Sequence, residues 1–261
     1  MKKFKKALVM VLAFALVICL TVAATVAYLT DKTAVAKNTF TMGKVDIVLS
    51  EYVVDETGKK TSDRTEAGNT AIVTGNDNEK YGYALMPGRQ VDKDPMVTVV
   101  TGSEECYVRM KVTLDNADKF IQVFKAHNPN ASSDVAAAIE LMKDYFVGYD
   151  SAKWTVAGAS LEDNKVTVIF NYAEKVAKTT ETAVAVNTKE SGDVKGKNLE
   201  PIITAVKLPE WVTSDDAALL PNFAVTITAE AIQAEGFADA AAAWTAFDGQ
   251  TNAITGTGLN P

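Results

Sequence analysis

Histidine occurs once in this 261-residue chain and cysteine twice, and that scarcity removes several kinds of chemistry at the outset. A helical zinc site of the H-E-x-x-H kind needs two histidines one turn apart, and only His127 is available. A serine hydrolase would have to recruit the same His127, yet no serine stands in a G-x-S-x-G turn. Neither G-x-x-x-x-G-K-[ST] nor a G-x-G-x-x-G turn behind a strand is present, which leaves nucleotide chemistry unsupported. Basic residues are outnumbered, 26 Lys and Arg against 33 Asp and Glu, and beyond the first six residues few of them cluster. Such a chain is a poor partner for nucleic acid or for an anionic lipid surface. The acids themselves are many. Asp92 with Asp94, Asp77 with Glu79, and Asp215 with Asp216 are the pairs able to help hold a structural calcium ion, but none has calcium-loop spacing. A solvated acidic surface, no cofactor and no catalytic constellation are therefore expected.

Only one long apolar run exists. Lys2, Lys3, Lys5 and Lys6 precede Ala7–Ala27, in which Thr21 and Thr25 are the only polar residues. That order is the charged start and apolar centre of a secretory signal. Small residues at Ala23, Ala24 and Ala27 place cleavage just after Ala27 or Tyr28. As an uncleaved anchor the run is nearly long enough to span a bilayer and would keep its lysines cytoplasmic. A lipoprotein reading of Cys19 meets a bulky Ile18 where such signals carry a small residue. The expectation is a signal peptide at 1–27, membrane contact only before cleavage, and a secreted product. Loss of those four lysines takes the formal charge from −7 to −11 and leaves Cys106 as the sole cysteine, so no intramolecular disulfide forms.

The remainder reads as strands with a helical interruption. Val45, Ile47 and Leu49 alternate with polar neighbours, and 51–80 is a polar surface excursion with a weak hairpin near Thr70–Thr74. Pro87-Gly88 suits a type II turn. Strands follow at 96–100 and 105–114, the second placing Cys106, Val108, Met110, Val112 and Leu114 on one face. The period then changes. Helices are predicted at 115–126 and, capped by Ser133 or Asp134, through Phe146, with His127 in the loop between them. Further strands are predicted at 153–156, 165–172, 182–186, 202–208 and 224–232, followed by a helix capped by Asp239. The fold class expected is mainly β, a jelly-roll-like β-sandwich over 41–261 with a helical insertion at about 115–148.

Three stretches resemble the TasA and camelysin family of secreted bacterial proteins. A-Y-L-T-D-K-T-A-V-A-K-N-T-F-T-M-G-K-V-D-I (Ala27–Ile47) is similar to that family's junction behind the signal. L-M-P-G-R-Q-V-D-K-D-P (Leu85–Pro95), followed by C-Y-V-R-M-K-V, resembles its P-G-x-x-x-x-K segment and Y-V-R strand. F-A-V-T-I-T-A-E-A-I-Q-A-E-G-F (Phe223–Phe237) with A-A-W-x-A-F resembles its closing strand and helix. Residues 51–80 and 115–200 carry no resemblance.

The resemblance implies a jelly-roll-like sandwich, processing by a SipW-type signal peptidase, and a structural role in a biofilm matrix at the bacterial surface. It also implies fibre formation, or association with fibres, as a homo-oligomer or with paralogous matrix subunits. The physical route is strand donation: 28–40 forms a junction whose extended part, with Tyr28, Leu29, Thr33, Val35 and Asn38, completes a neighbour's sheet. Leu29, Thr33 and Val35 are expected on one face. The first alternative is a monomeric surface adhesin or binding module, with Trp154, Trp211 and Trp244 as candidate stacking residues. The second is a camelysin-like metallopeptidase, for which the chain offers no recognisable zinc site.

Overall fold

The computed structural model describes residues 30–33, 44–55, 57–66, 88–131, 133–220 and 225–256. The signal segment, Ala27, Tyr28, Leu29, Val35, Asn38, the hairpin expected near Thr70–Thr74 and Pro87 of the expected turn lie outside those residues.

Thirteen strands are described. They are β1 (Thr30–Thr33), β2 (Ile47–Val54), β3 (Lys60–Glu66), β4 (Gln90–Asp92), β5 (Met96–Val100), β6 (Cys106–Leu114), β7 (Phe146–Val147), β8 (Trp154–Glu162), β9 (Lys165–Tyr172), β10 (Val184–Thr188), β11 (Gly192–Asn198), β12 (Ala205–Lys207) and β13 (Val225–Gln233). Four helices join them: α1 (Ala117–His127) and α2 (Asp134–Tyr145) after β6, α3 (Ser214–Leu219) before β13, and α4 (Ala240–Gly256) at the end. The described chain is mainly β, and every described ladder is antiparallel. One sheet has the order β1-β13-β6-β9-β8, a second β10-β11-β5-β2-β3, and a small third β4-β12-β7.

The alternation of β6 makes it the spine of the first sheet. Cys106, Val108, Met110, Val112 and Leu114 are buried on one face, as Val225, Ile227, Ala229 and Ala231 are on β13 beside it. These residues share one apolar core with Ile47, Leu49, Val97 and Val99 of the second sheet and with Phe120 and Leu141 of the two inserted helices. The insertion thus covers the core rather than forming a separate body. Ser133 caps α2, its hydroxyl accepting from Ala136 N at 3.1 Å. The start of α1 is held differently. Its N-cap, Asn116, makes no side-chain cap, and the vacancy is filled from the β8–β9 turn, where Asn164 O accepts from Ala117 N and Asn164 Oδ1 from Asp118 N.

Several strand and helix expectations require correction. The polar excursion contains a strand: β2 runs to Val54 and turns back into β3, held at the turn by Asp55 Oδ1 accepting from Thr57 N and Lys59 N. A strand expected at 153–156 extends to Glu162 through a bulge between Val156 and Gly158. The strand expected at 182–186 spans Val184–Thr188 and has a hairpin partner, β11, that has no apolar alternation to announce it. That expected at 202–208 is only three residues long. His127 is the last residue of α1 rather than part of the loop.

Candidate functional site

β13 is flanked by β6 on one side and β1 on the other, so the last described strand meets the first. Thr30 stands opposite Ile232, Asp31 opposite Ala231, Lys32 opposite Glu230 and Thr33 opposite Ala229. Part of the segment picked out as a donor strand therefore occupies the edge of its own chain's sheet. Of the five donor residues named from the sequence, Thr33 alone lies among the described residues, and its register position is the end of β1.

Behind this edge lies a charged layer that the sequence did not signal. Arg109 on β6 stands opposite Glu230 and is 2% exposed. Its Nε donates to Glu230 Oε2 at 2.7 Å, and its Nη1 and Nη2 donate to Asp248 of α4 at 3.1 and 2.5 Å. Lys111 Nζ reaches the other Glu230 oxygen at 3.0 Å. The guanidinium lies 4.3 Å from the centre of the Trp244 ring and 5.1 Å from that of Phe247. Burial works against the charge on Arg109, and the bonds to Asp248 and Glu230 outweigh it, so its pKa is raised further. Ile232, Ala243, Trp244 and Phe247 form a second small apolar cluster around this layer. Together they fasten α4 to the outer face of β13 and β6, directly beside the β1 ladder.

Other candidates resolve into structural roles. A cleft of about 320 Å³ lies between β2, β3 and the β4–β12 pair, lined among others by Tyr52, Lys60, Gln90, Asp92, Asp94 and Thr204. Its Asp94, Asp92 and Lys93 are already paired: Arg64 pairs with Asp94, Lys59 Nζ lies 3.2 Å from Asp92, and Lys93 donates to the buried Glu51 at 2.7 Å. Asp94 also accepts from Tyr52 N at 2.9 Å, yet burial holds its carboxyl above the usual range. Asp216 closes the capping box of α3 with Thr213 and bonds His127 Nε2 at 2.9 Å. The Thr213 bonds foremost, then His127, hold its carboxyl below its ordinary value. Among the described residues no three His, Cys, Asp or Glu side chains gather as metal ligands.

Cys106 is fully buried, and burial, aided by the Glu105 charge, pushes its thiol up to about 12, which suppresses the nucleophilic thiolate. Trp154 is a core residue whose indole donates to Glu200 O at 3.0 Å, and Trp244 sits beneath Arg109. Neither offers a free ring face for stacking. Trp211 is half-buried, with His127 and Phe124 packed against it.

The chain matches no family model, no curated protein and no solved structure. The functional reading therefore rests on its own residues and geometry.

The sequence missed Arg109, Glu230 and Asp248 as a group. A faint signal was available: charged residues, Arg109 and Lys111 on β6 and Glu230 on β13, sit near the centre of two strands whose other face is apolar. Their pairing spans more than a hundred positions, which no local pattern carries.

Proposed function

We propose that this chain is an exported structural subunit of a bacterial extracellular matrix, built as a jelly-roll-like sandwich and assembled by exchange of its N-terminal strand. The observation that carries this reading is the β1–β13 ladder. Thr30–Thr33, part of the segment selected from sequence as an extended donor, is paired antiparallel with β13 over four register positions and forms the border of that sheet. The ladder's main-chain hydrogen bonds place no demand on which copy supplies the strand, so a neighbour's residues 30–33 can replace the chain's own. Each bond contributes about 1 kcal/mol net, so a four-residue ladder is weak enough to open and strong enough to select its place. Exchange joins the front of one copy to the β13 edge of the next, and such a head-to-tail contact propagates.

In this reading the partners are further copies or paralogous matrix subunits, a SipW-type peptidase removes the signal, and the chain performs no catalysis. Electron microscopy and light scattering on two forms, one beginning at Tyr28 and one at Phe40, test it. Filaments from the longer form alone are expected. If both forms stay monomeric, self-assembly fails and the adhesin reading replaces it. If both polymerise equally, residues 28–39 are not the donor.

A further inference from the structure

We infer that the cleft between β2, β3 and the β4–β12 pair binds a carboxylated sugar, a single negative charge carried on a hydroxylated ring. Its volume of about 320 Å³ lies at the lower end of the range for small-molecule sites, which suits a sugar unit. Val54, Pro201 and Ala205 supply an apolar part of the lining, against which the C–H face of such a ring can rest. No lining residue belongs to β1, β6 or β13, so the site is separate from the ladder proposed for assembly.

The ligand's charge follows from the ion pairs already present. Arg64 pairs with Asp94, Lys59 with Asp92 and Lys93 with Glu51, so each of these acids has its cation. Lys60 is left over. Its ammonium lies 5.2 Å from the centre of the Tyr52 ring, and among the described residues it forms no ion pair. The cleft therefore carries one cation in surplus. A carboxylate matches it, whereas the second charge of a phosphate would be left facing Asp92 and Asp94.

The hydroxylated ring follows from hydrogen-bonding capacity that the fold leaves unspent. Among the described residues the Gln90 side-chain amide and the Tyr52 hydroxyl have no hydrogen-bond partner, and each can donate and accept. Asp92 accepts from Lys59 Nζ and Lys60 N, one bond at each oxygen, and Asp94 likewise from Tyr52 N and Arg64. Every one of those four oxygens keeps a lone pair. The same bonds hold both carboxylates in place, so they are rigid acceptors for a ligand rather than cancelled charges. Asp94 is also short of water. Burial keeps its carboxyl above the usual range despite its bonds, and a hydroxyl donated to it relieves that cost. Donors and acceptors set side by side match sugar hydroxyls, which act as both; an aliphatic acid would satisfy Lys60 alone.

Saturation-transfer NMR on the chain beginning at Tyr28, titrated separately with methyl glucuronide, methyl glucoside and propionate, tests this. The glucuronide is expected to bind about fivefold more tightly than the glucoside, and propionate to show no transfer. Lys60→Gln should bring the glucuronide level with the glucoside and leave glucoside binding unchanged. Gln90→Ala should weaken both sugars by about fivefold. Lys60 and Gln90 are exposed, so both variants should keep the urea midpoint of the unaltered chain. Absence of transfer to both sugars overturns the inference. Propionate binding equal to that of the glucuronide overturns it too, since Lys60 would then be a plain anion contact. Glucuronide binding unchanged by both substitutions places the sugar elsewhere and is equally fatal. Filaments of the same chain are read by electron microscopy, so failure at the cleft is distinguishable from failure of strand exchange.

Discussion

Arg109 shows how a single buried charge is made tolerable. A guanidinium in a dry layer costs several kcal/mol unless its donors are matched, and here two carboxylates and two aromatic rings surround it. Glu230 is as buried as its partner requires, while Asp248 remains half exposed and brings α4 to the contact. Removing Arg109 leaves the buried Glu230 with the partly exposed Lys111 as counter-charge. Arg109→Met is therefore expected to lower stability by about 3–5 kcal/mol, read as a reduced urea midpoint. Arg109→Met with Glu230→Leu should recover most of that loss, because no buried charge is then stranded. Should the double variant be as unstable as the single one, the role of Arg109 is to pack against Trp244 rather than to balance Glu230.

At the scale of elements, α1 depends on a cap supplied by another hairpin. Asn164 lies at φ 57° in the β8–β9 turn, where asparagine is tolerated better than most residues, and its side chain and carbonyl serve the first two amides of α1. Two substitutions separate these roles. Asn164→Gly keeps the turn conformation and loses only the side-chain cap, an expected cost of about 1 kcal/mol in chemical denaturation. Asn164→Ala adds the left-handed backbone penalty of about 1 kcal/mol or more. No loss in Asn164→Gly would mean that the cap is idle.

The elements legible from sequence were those with a strong period. β6 and β13 alternate over nine residues each, and α1 and α2 place their aromatic and aliphatic residues at helical spacing. β3 and β11 were not legible because K-T-S-D-R-T-E and G-D-V-K-G-K-N hold mostly polar side chains on both faces. The partners that make them strands lie elsewhere in the chain. Helix α3, with no buried residue, has no apolar stripe to read, although its Thr213–Asp216 capping box was present in the sequence. For the site, the sequence marked Tyr28–Asn38 as an extended donor to a neighbouring copy; the pairing of Thr30–Thr33 with β13 of the same chain, across about two hundred positions, leaves no local trace.

That pairing of the chain's two ends also sets when a whole molecule prefers itself to its neighbour. Cis and trans ladders between β1 and β13 use the same hydrogen bonds, so strand exchange is decided by effective concentration rather than by bond strength. Only residues 34–43 separate the end of β1 from the described chain before β2. A short tether of this kind gives a local strand concentration on the order of millimolar, and free subunits must approach that value, or be held together, before exchange wins. Inserting ten Gly and Ser residues after Val35 roughly doubles the tether, which lowers the local concentration about threefold. The concentration at which scattering first appears should fall by about the same factor. An onset that does not move with tether length would mean that β1 never leaves its own sheet, and the ladder would then be a closure of the monomer rather than a joint between subunits.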